Sequence, residues 1–191
     1  MTTLTRDEVD RIRERISRAH ELAAIQFRES FVLGETPPTA HLQMLTDALI
    51  GESEGIRLRG PAYEIGEGLI EPIHENFIVD REPLTIFEYW LIISDITGAP
   101  AWRMTTLIAT PAEYDVALRR MQSPQIVRAL VASFLPSVEV RDDGSAFLEA
   151  TVYTRAAEER IERRLLLLDP HNEFHFHGRE LIAEGRGGVR V

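Results

Sequence analysis

Three stretches decide the fold: Phe147-Leu-Glu-Ala-Thr-Val-Tyr153, Ile161-Glu-Arg-Arg-Leu-Leu-Leu-Leu168 and Phe174-His-Phe-His-Gly-Arg-Glu-Leu-Ile-Ala183. Each reads as a strand. Asp142-Asp143-Gly144 before the first and Asp169-Pro170-His171-Asn172 before the last are tight-turn signals, because these residues tolerate the backbone angles that hairpins need. Strands joined this closely pair as an antiparallel meander. Leu165 to Leu168 is uninterrupted apolar sequence. It therefore needs cover on both faces, from helices on one and from strands, a curved sheet's interior or a partner subunit on the other.

Working back from that block, Val138 to Arg141 adds a further strand, and a helical insert precedes it. Thr110-Pro111-Ala112-Glu113 combines a capping box with proline at the first helical position. Ser123-Pro124 restarts a second helix that carries Ile126, Val127, Leu130, Val131 and Phe134 to Pro136. Upstream, Ile56 to Arg59, Ala62 to Ile65, Ile73 to Val79 and Leu84 to Ile96 read as strands. The last is rich in Ile86, Phe87, Tyr89, Trp90, Ile92 and Ile93. A turn at Thr97-Gly98-Ala99-Pro100 leads from it into Trp102 to Thr110, as a hairpin.

The chain begins with helices. Thr5 and Glu8 form a capping box for an amphipathic helix over residues 6–29, with Val9, Ile12, Ile16 and Ala19 on one face. Thr39 caps a second, which places Leu42, Leu45, Leu49 and Ile50 together and stops at Gly51. The apolar period switches from 3.6 residues to 2 near residue 55. The class is α+β: a curved, mainly antiparallel sheet with two N-terminal helices and a two-helix insert between strand blocks. Residues 1–184 form one domain, followed by a flexible tail at 185–191. Such a cone has an analogue in the shape of the nuclear transport factor 2-like fold, although no motif carries the comparison further.

Composition removes whole classes of chemistry. All 21 basic residues are arginine, and the chain holds neither lysine nor cysteine. Schiff-base and P-loop lysines, thiolate nucleophiles, cysteine–zinc sites and disulfides are excluded. The missing lysines reflect either codon usage in a GC-rich genome or selection against amine modification. A net charge of -10 argues against nucleic acid and anionic membranes as partners. No apolar run approaches the roughly 18 residues of a membrane span. Met1 to Glu8 lacks the layout of a signal peptide, so a cytoplasmic location is expected.

The remaining candidates are histidines, carboxylates and arginines. On a strand, Phe174 and Phe176 share one face while Glu173, His175, His177 and Arg179 share the other. Two histidines at i and i+2 lie about 7 Å apart, close enough to act together around a substrate. The same alternation also arises on any hairpin edge with aromatic residues inward. His74, in the acidic stretch Glu64 to Glu75, is the third candidate catalytic residue if it, or Glu71, faces that pair. Trp90, Arg103 and Arg179 are the candidate substrate-binding residues; no metal ligand is assigned and the cofactor is unknown. Glu88 and Asp95 interrupt the apolar run of 84–96, and pairing with Arg103 or Arg163 is the more frequent outcome for such acids. The expected function is that of a small-molecule-binding protein or small cofactor-free enzyme, with a pocket in the curved sheet and histidine and carboxylate groups in it. The alternative is an acidic protein–protein interaction module of the adaptor, chaperone or immunity type. A homodimer is expected, from the need to cover Leu165 to Leu168.

Overall fold

The computed structural model describes residues 1–32, 40–60, 63–66, 69–72, 74–96, 105–128, 133–155 and 158–186. Helix α1 (Arg6–Val32) starts where the sequence places it. Thr5 N and Oγ1 both donate to Glu8 Oε2 at 2.7 Å, and Glu8 N donates to Thr5 Oγ1 at 3.3 Å. Its inner face buries Val9, Ile12, Ala19 and Ala23 against Leu45 and Leu49 of α2 (Ala40–Gly51). Strand β2 (Ile56–Leu58) pairs with β5 (Phe77–Val79), and between them lie the β3–β4 ladder (Tyr63–Gly66 and Leu69–Pro72) and a 3-10 turn, His74–Asn76.

Residues 84–96, expected as a strand, form helix α3 (Pro83–Ile96) and so make no hairpin with residues 105–108; the expected turn at 97–100 and residues 101–104 lie outside the described residues. Proline opens the helix at a position that needs no N–H donor. The run that follows is apolar on nearly every side, and such a run carries no phase by which period 2 and period 3.6 could be told apart. Burial decides it. Ile86, Phe87, Tyr89, Trp90, Ile92, Ile93 and Ile96 are all buried, as suits a helix enclosed on every face. The approach is close at its start: a Cβ on Gly55 would lie 2.5 Å from Thr85 Oγ1.

After β6 (Thr105–Ile108), helix α4 (Pro111–Arg120) forms on the Thr110–Glu113 capping box. The second helix of the insert does not form where the chain is described. Ser123 takes a left-handed φ of 49°, and β7 (Gln125–Ile126) pairs with the last strand. Val127 N and Arg128 N both donate to Ile182 O. The free edge of the last strand thus supplies the backbone partners that a helix would have supplied. Residues 129–132 lie outside the described part.

The sheet is antiparallel and strongly curled, in the order β1 (Thr2–Thr3), β8 (Ser137–Val140), β9 (Ala146–Arg155), β10 (Glu158–Leu168), β11 (Phe174–Arg186), β7. β6 and β8 share one edge of β9, β8 along residues 146–149 and β6 along 151–154. The Asp142-Asp143-Gly144 turn forms as read, with Gly144 at φ 80°. β11 runs on through Gly185 and Arg186. Ala146, Leu148, Ala150, Val152, Leu166 and Leu168 face α1–α3 in the main core. Tyr153 and Ile161 face the other way and pack with Ile108, Tyr114, Ala117 and Phe134 beneath α4. Leu165 and Leu167, on that second face, are half-buried. No helix among the described residues is long and apolar enough to cross a membrane.

Candidate functional site

Histidines and carboxylates converge at the turn between β10 and β11. Asp169 Oδ1 accepts from the amides of His171 and Glu173, both at 2.9 Å, and its Oδ2 lies 3.0 Å from His175 Nε2. Asn172, left-handed at φ 67°, is buried: its Nδ2 donates to Phe77 O at 2.8 Å and its carbonyl accepts from Tyr89 OH at 3.0 Å. His74 Nδ1 lies 3.3 Å from the same hydroxyl, and Phe174 stacks on the Tyr89 ring. Arg81 Nη2 donates to the carbonyls of Asp169 and Pro170. Helix α3 and the 3-10 turn therefore fix the turn from below.

The electrostatics follow from these contacts. The hydrogen bond to Asp169 raises the His175 pKa above the ordinary histidine value, and nearby Glu173 adds to it. Burial lowers that of His74, against the pull of Glu173 and Asp169. Burial raises the Asp169 carboxyl, but His175 and the two amides outweigh it and hold it below the usual range. Ligand atoms of Asp169, Glu173 and His175 lie within 4.8 Å of one another, close enough to hold one divalent ion of mixed nitrogen and oxygen preference.

His74 and His175 are thus brought to one place, and His177 is not. The β10–β11 register passes from Leu166↔Phe176 to Leu165↔Gly178, which leaves His177 as the extra residue of a bulge. Its ring meets the edge of Phe147, itself covered by the Arg141 guanidinium at 4.3 Å. Phe174 packs against the core, whereas Phe176 is 61% exposed. The side chain of Glu71 and all of Arg103 lie outside the described part. Trp90 is buried and lines a cleft of about 270 Å³ with Arg13, Leu91, Asp95 and Leu107. Glu88 is paired, but with Arg15 at 2.8 Å and Ser53 Oγ at 3.0 Å; Asp95 meets His20 at 2.9 Å. Both partners of these acids come from α1 or its neighbourhood because 84–96 is a helix packed there and not a strand beside Arg163. Arg163 instead pairs with Glu149.

A larger cleft, about 570 Å³, opens between α4 and β6. Leu107, Ile108, Val116 and Ala117 supply its apolar wall; Arg13, Glu113, Arg120 and Tyr153 are its polar groups. Arg13 donates to Glu113 Oε1 at 2.7 Å and to Leu107 O at 2.9 Å. Burial raises the Glu113 carboxyl, but Arg13 and the amides of Ala109 and Thr110 overcome it and keep it ionised. Burial and the bond to Glu159 push the Tyr153 hydroxyl up to about 12. Arg120 makes no ion pair among the described residues. Nothing in the sequence marks this cleft: Glu113 reads as a helix cap, and Arg13 is one of several charged residues on the amphipathic first helix. Comparison with protein-family models finds none that matches the chain, and comparisons with curated proteins and with solved structures find no match either.

Proposed function

We propose that the protein binds a small amphipathic molecule with one anionic group, in the cleft between α4 and β6. The observation that carries this is an apolar wall ending at a guanidinium, that of Arg120, which makes no ion pair among the described residues. The volume lies within the roughly 300–1,000 Å³ of ordinary ligand sites. Arg13 and Glu113 neutralise each other, so among the groups that line the cleft the remaining charge is that of Arg120. Binding is favoured over catalysis, because neither acid–base group in the cleft is poised near neutral pH: Glu113 is held ionised and Tyr153 protonated. The test is a thermal-shift and calorimetric screen of small aliphatic and aromatic carboxylates. Members should raise Tm, with affinity about tenfold lower in Arg120→Ala, as expected for losing one charged hydrogen bond. A bulky Val116→Trp should fill the cleft and abolish the shift. A panel without binders, or binding indifferent to both substitutions, would end this reading.

The proposed assembly is a homodimer in which a second copy covers the half-buried Leu165 and Leu167. Light scattering at about twice the 21.7 kDa chain mass supports it; the single-chain mass at every concentration sinks it. A cytoplasmic location belongs to the same proposal and rests on the absence of cysteine. The competing role as an acidic interaction module draws on the exposed Ile126 and Val127 at the sheet edge.

A further inference from the structure

The cleft beside α4 is lined by every residue of β6, from Thr105 to Ile108. Side chains alternate between the two faces of a strand, so consecutive residues line one cavity only where it runs along the strand's edge. β9 takes the inner edge of β6, and no strand among the described residues takes the outer one. Two contacts identify what that outer edge presents. Leu107 O accepts from Arg13 Nη2 at 2.9 Å, and Ala109 N donates to Glu113 Oε2 at 2.6 Å. Residues 107 and 109 therefore turn their backbone groups outward, while Thr106 and Ile108 turn theirs to β9.

Arg13 and Glu113, joined to each other at 2.7 Å, thus stand where an added strand would lie. One gives a donor to a carbonyl, and the other gives an acceptor to the amide two residues on. In an antiparallel ladder the N–H and C=O of one residue point the same way, so the Leu107 amide faces the cleft as its carbonyl does. Helix α4 runs back along the strand. Glu113 in its first turn touches Ala109, whereas Arg120 at its end acts electrostatically on the hydroxyl of Tyr153, the residue paired with Thr106. Going from the Leu107 amide toward the start of β6, the cleft offers strand edge, the apolar side chains of Val116 and Ala117, and the Arg120 guanidinium. Strand addition uses these parts: main-chain bonds give affinity, and pockets choose the side chain. A guanidinium forks a carboxylate.

We propose that the occupant of this cleft is the extended C-terminal segment of a partner polypeptide, added to the edge of β6 as an antiparallel strand with its terminal carboxylate on Arg120. This rests on the reading that the cleft takes an amphipathic anion, and it names that anion. The direction is antiparallel because Arg120 lies toward the start of β6, so a chain that ends there runs against the strand. Calorimetry on the full chain tests it with N-acetyl-Val-Thr-Val-Thr-Val as the free acid and as the C-terminal amide, and with hexanoate. The free acid should bind about tenfold tighter than hexanoate, which has the charge and the apolar tail but no main-chain hydrogen bonds to add. Amidation should weaken the peptide about tenfold, and Arg120→Ala should erase the difference between acid and amide. Methylating the peptide amides one at a time should alternate between loss and tolerance, since only every second amide of a strand faces its neighbour. Hexanoate binding through Arg120, with the peptide no tighter or with methylation effects that do not alternate, overturns the added strand and leaves the reading of the cleft standing. Equal affinity of acid and amide in the wild-type chain overturns the C-terminal carboxylate. Absence of binding by every probe overturns both the strand and the cleft.

Discussion

His20, His74 and His175 are the same side chain pushed in two directions by what they touch. The hydrogen bond to Asp95 raises His20, and that to Asp169 raises His175. Burial lowers His74. By linkage, the stability contributed by the His20 and His175 pairs is fully present below about pH 6.5 and is lost as pH rises through their raised folded values. His74 behaves oppositely: its neutral form is the one that fits, and its contribution is lost as pH falls through its depressed value. NMR titration should therefore show His20 and His175 with midpoints above that of a free histidine and His74 below it. Asp169→Asn should bring His175 back toward the ordinary value. A His175 midpoint at or below that of free histidine would mean that the Asp169 contact does not persist in solution. At this scale the sequence was informative about kind and silent about partner. That Glu88 and Asp95 are paired followed from the cost of burying a lone charge; that Arg15 and His20 are the partners follows only once α1 lies against α3.

Among elements, α3 carries most of the positioning. Its Tyr89 hydroxyl donates to the Asn172 carbonyl inside the core, which ties the 169–173 turn to the helix. Burial pushes that hydroxyl's pKa far up, so it remains a donor at every working pH. Tyr89→Phe should leave the carbonyl without a partner and cost about 1–3 kcal/mol in urea unfolding. It should also broaden the His74 and His175 signals, because both rings sit on this support. Loss of stability without any change at His175 would show that the turn holds itself. The misreading of α3 has a physical cause. Ile, Phe, Tyr and Trp favour strands because they suit a half-buried pleated surface, but a fully enclosed helix accepts them equally well. Helices α1 and α4 were legible because their caps are local chemistry: Thr5 with Glu8 and Thr110 with Glu113. The C-terminal strands were legible for a similar reason, since their turns are local. The bulge at His177 was not, because a bulge is set by the partner strand, and it is what separates His175 from His177. Ser123-Pro124 failed for the reciprocal reason: the edge of β11 offered hydrogen bonds that no nearby residue announces.

In the whole molecule, one sheet divides two unequal cores. The larger joins α1, α2 and α3 to one face; the smaller sits under α4 on the other face, held by Tyr114, Met121, Phe134 and Ile161. β9 and β10 belong to both, with neighbours on each edge. Local opening free energies track buried contacts and backbone protection, so the two sides should not open together. Amides of β9 and β10, such as Val152 and Leu166, should exchange only through global unfolding. Those of α4 should exchange through a smaller opening that leaves the larger core intact, since its outer residues Asp115, Val116, Arg119 and Arg120 are exposed and only Tyr114 and Ala117 are fully buried. The cleft lies along this weaker element. A ligand bound there stabilises the closed form by RT ln(1 + [L]/Kd), about 2.7 kcal/mol at a hundredfold excess over Kd. Hydrogen exchange with and without a cleft ligand should therefore slow α4 by about that amount. Protection of β9 should rise only to the extent that global stability rises. If α4 amides already exchange as slowly as those of β9, the two cores unfold as one and the cleft cannot open by α4 moving alone.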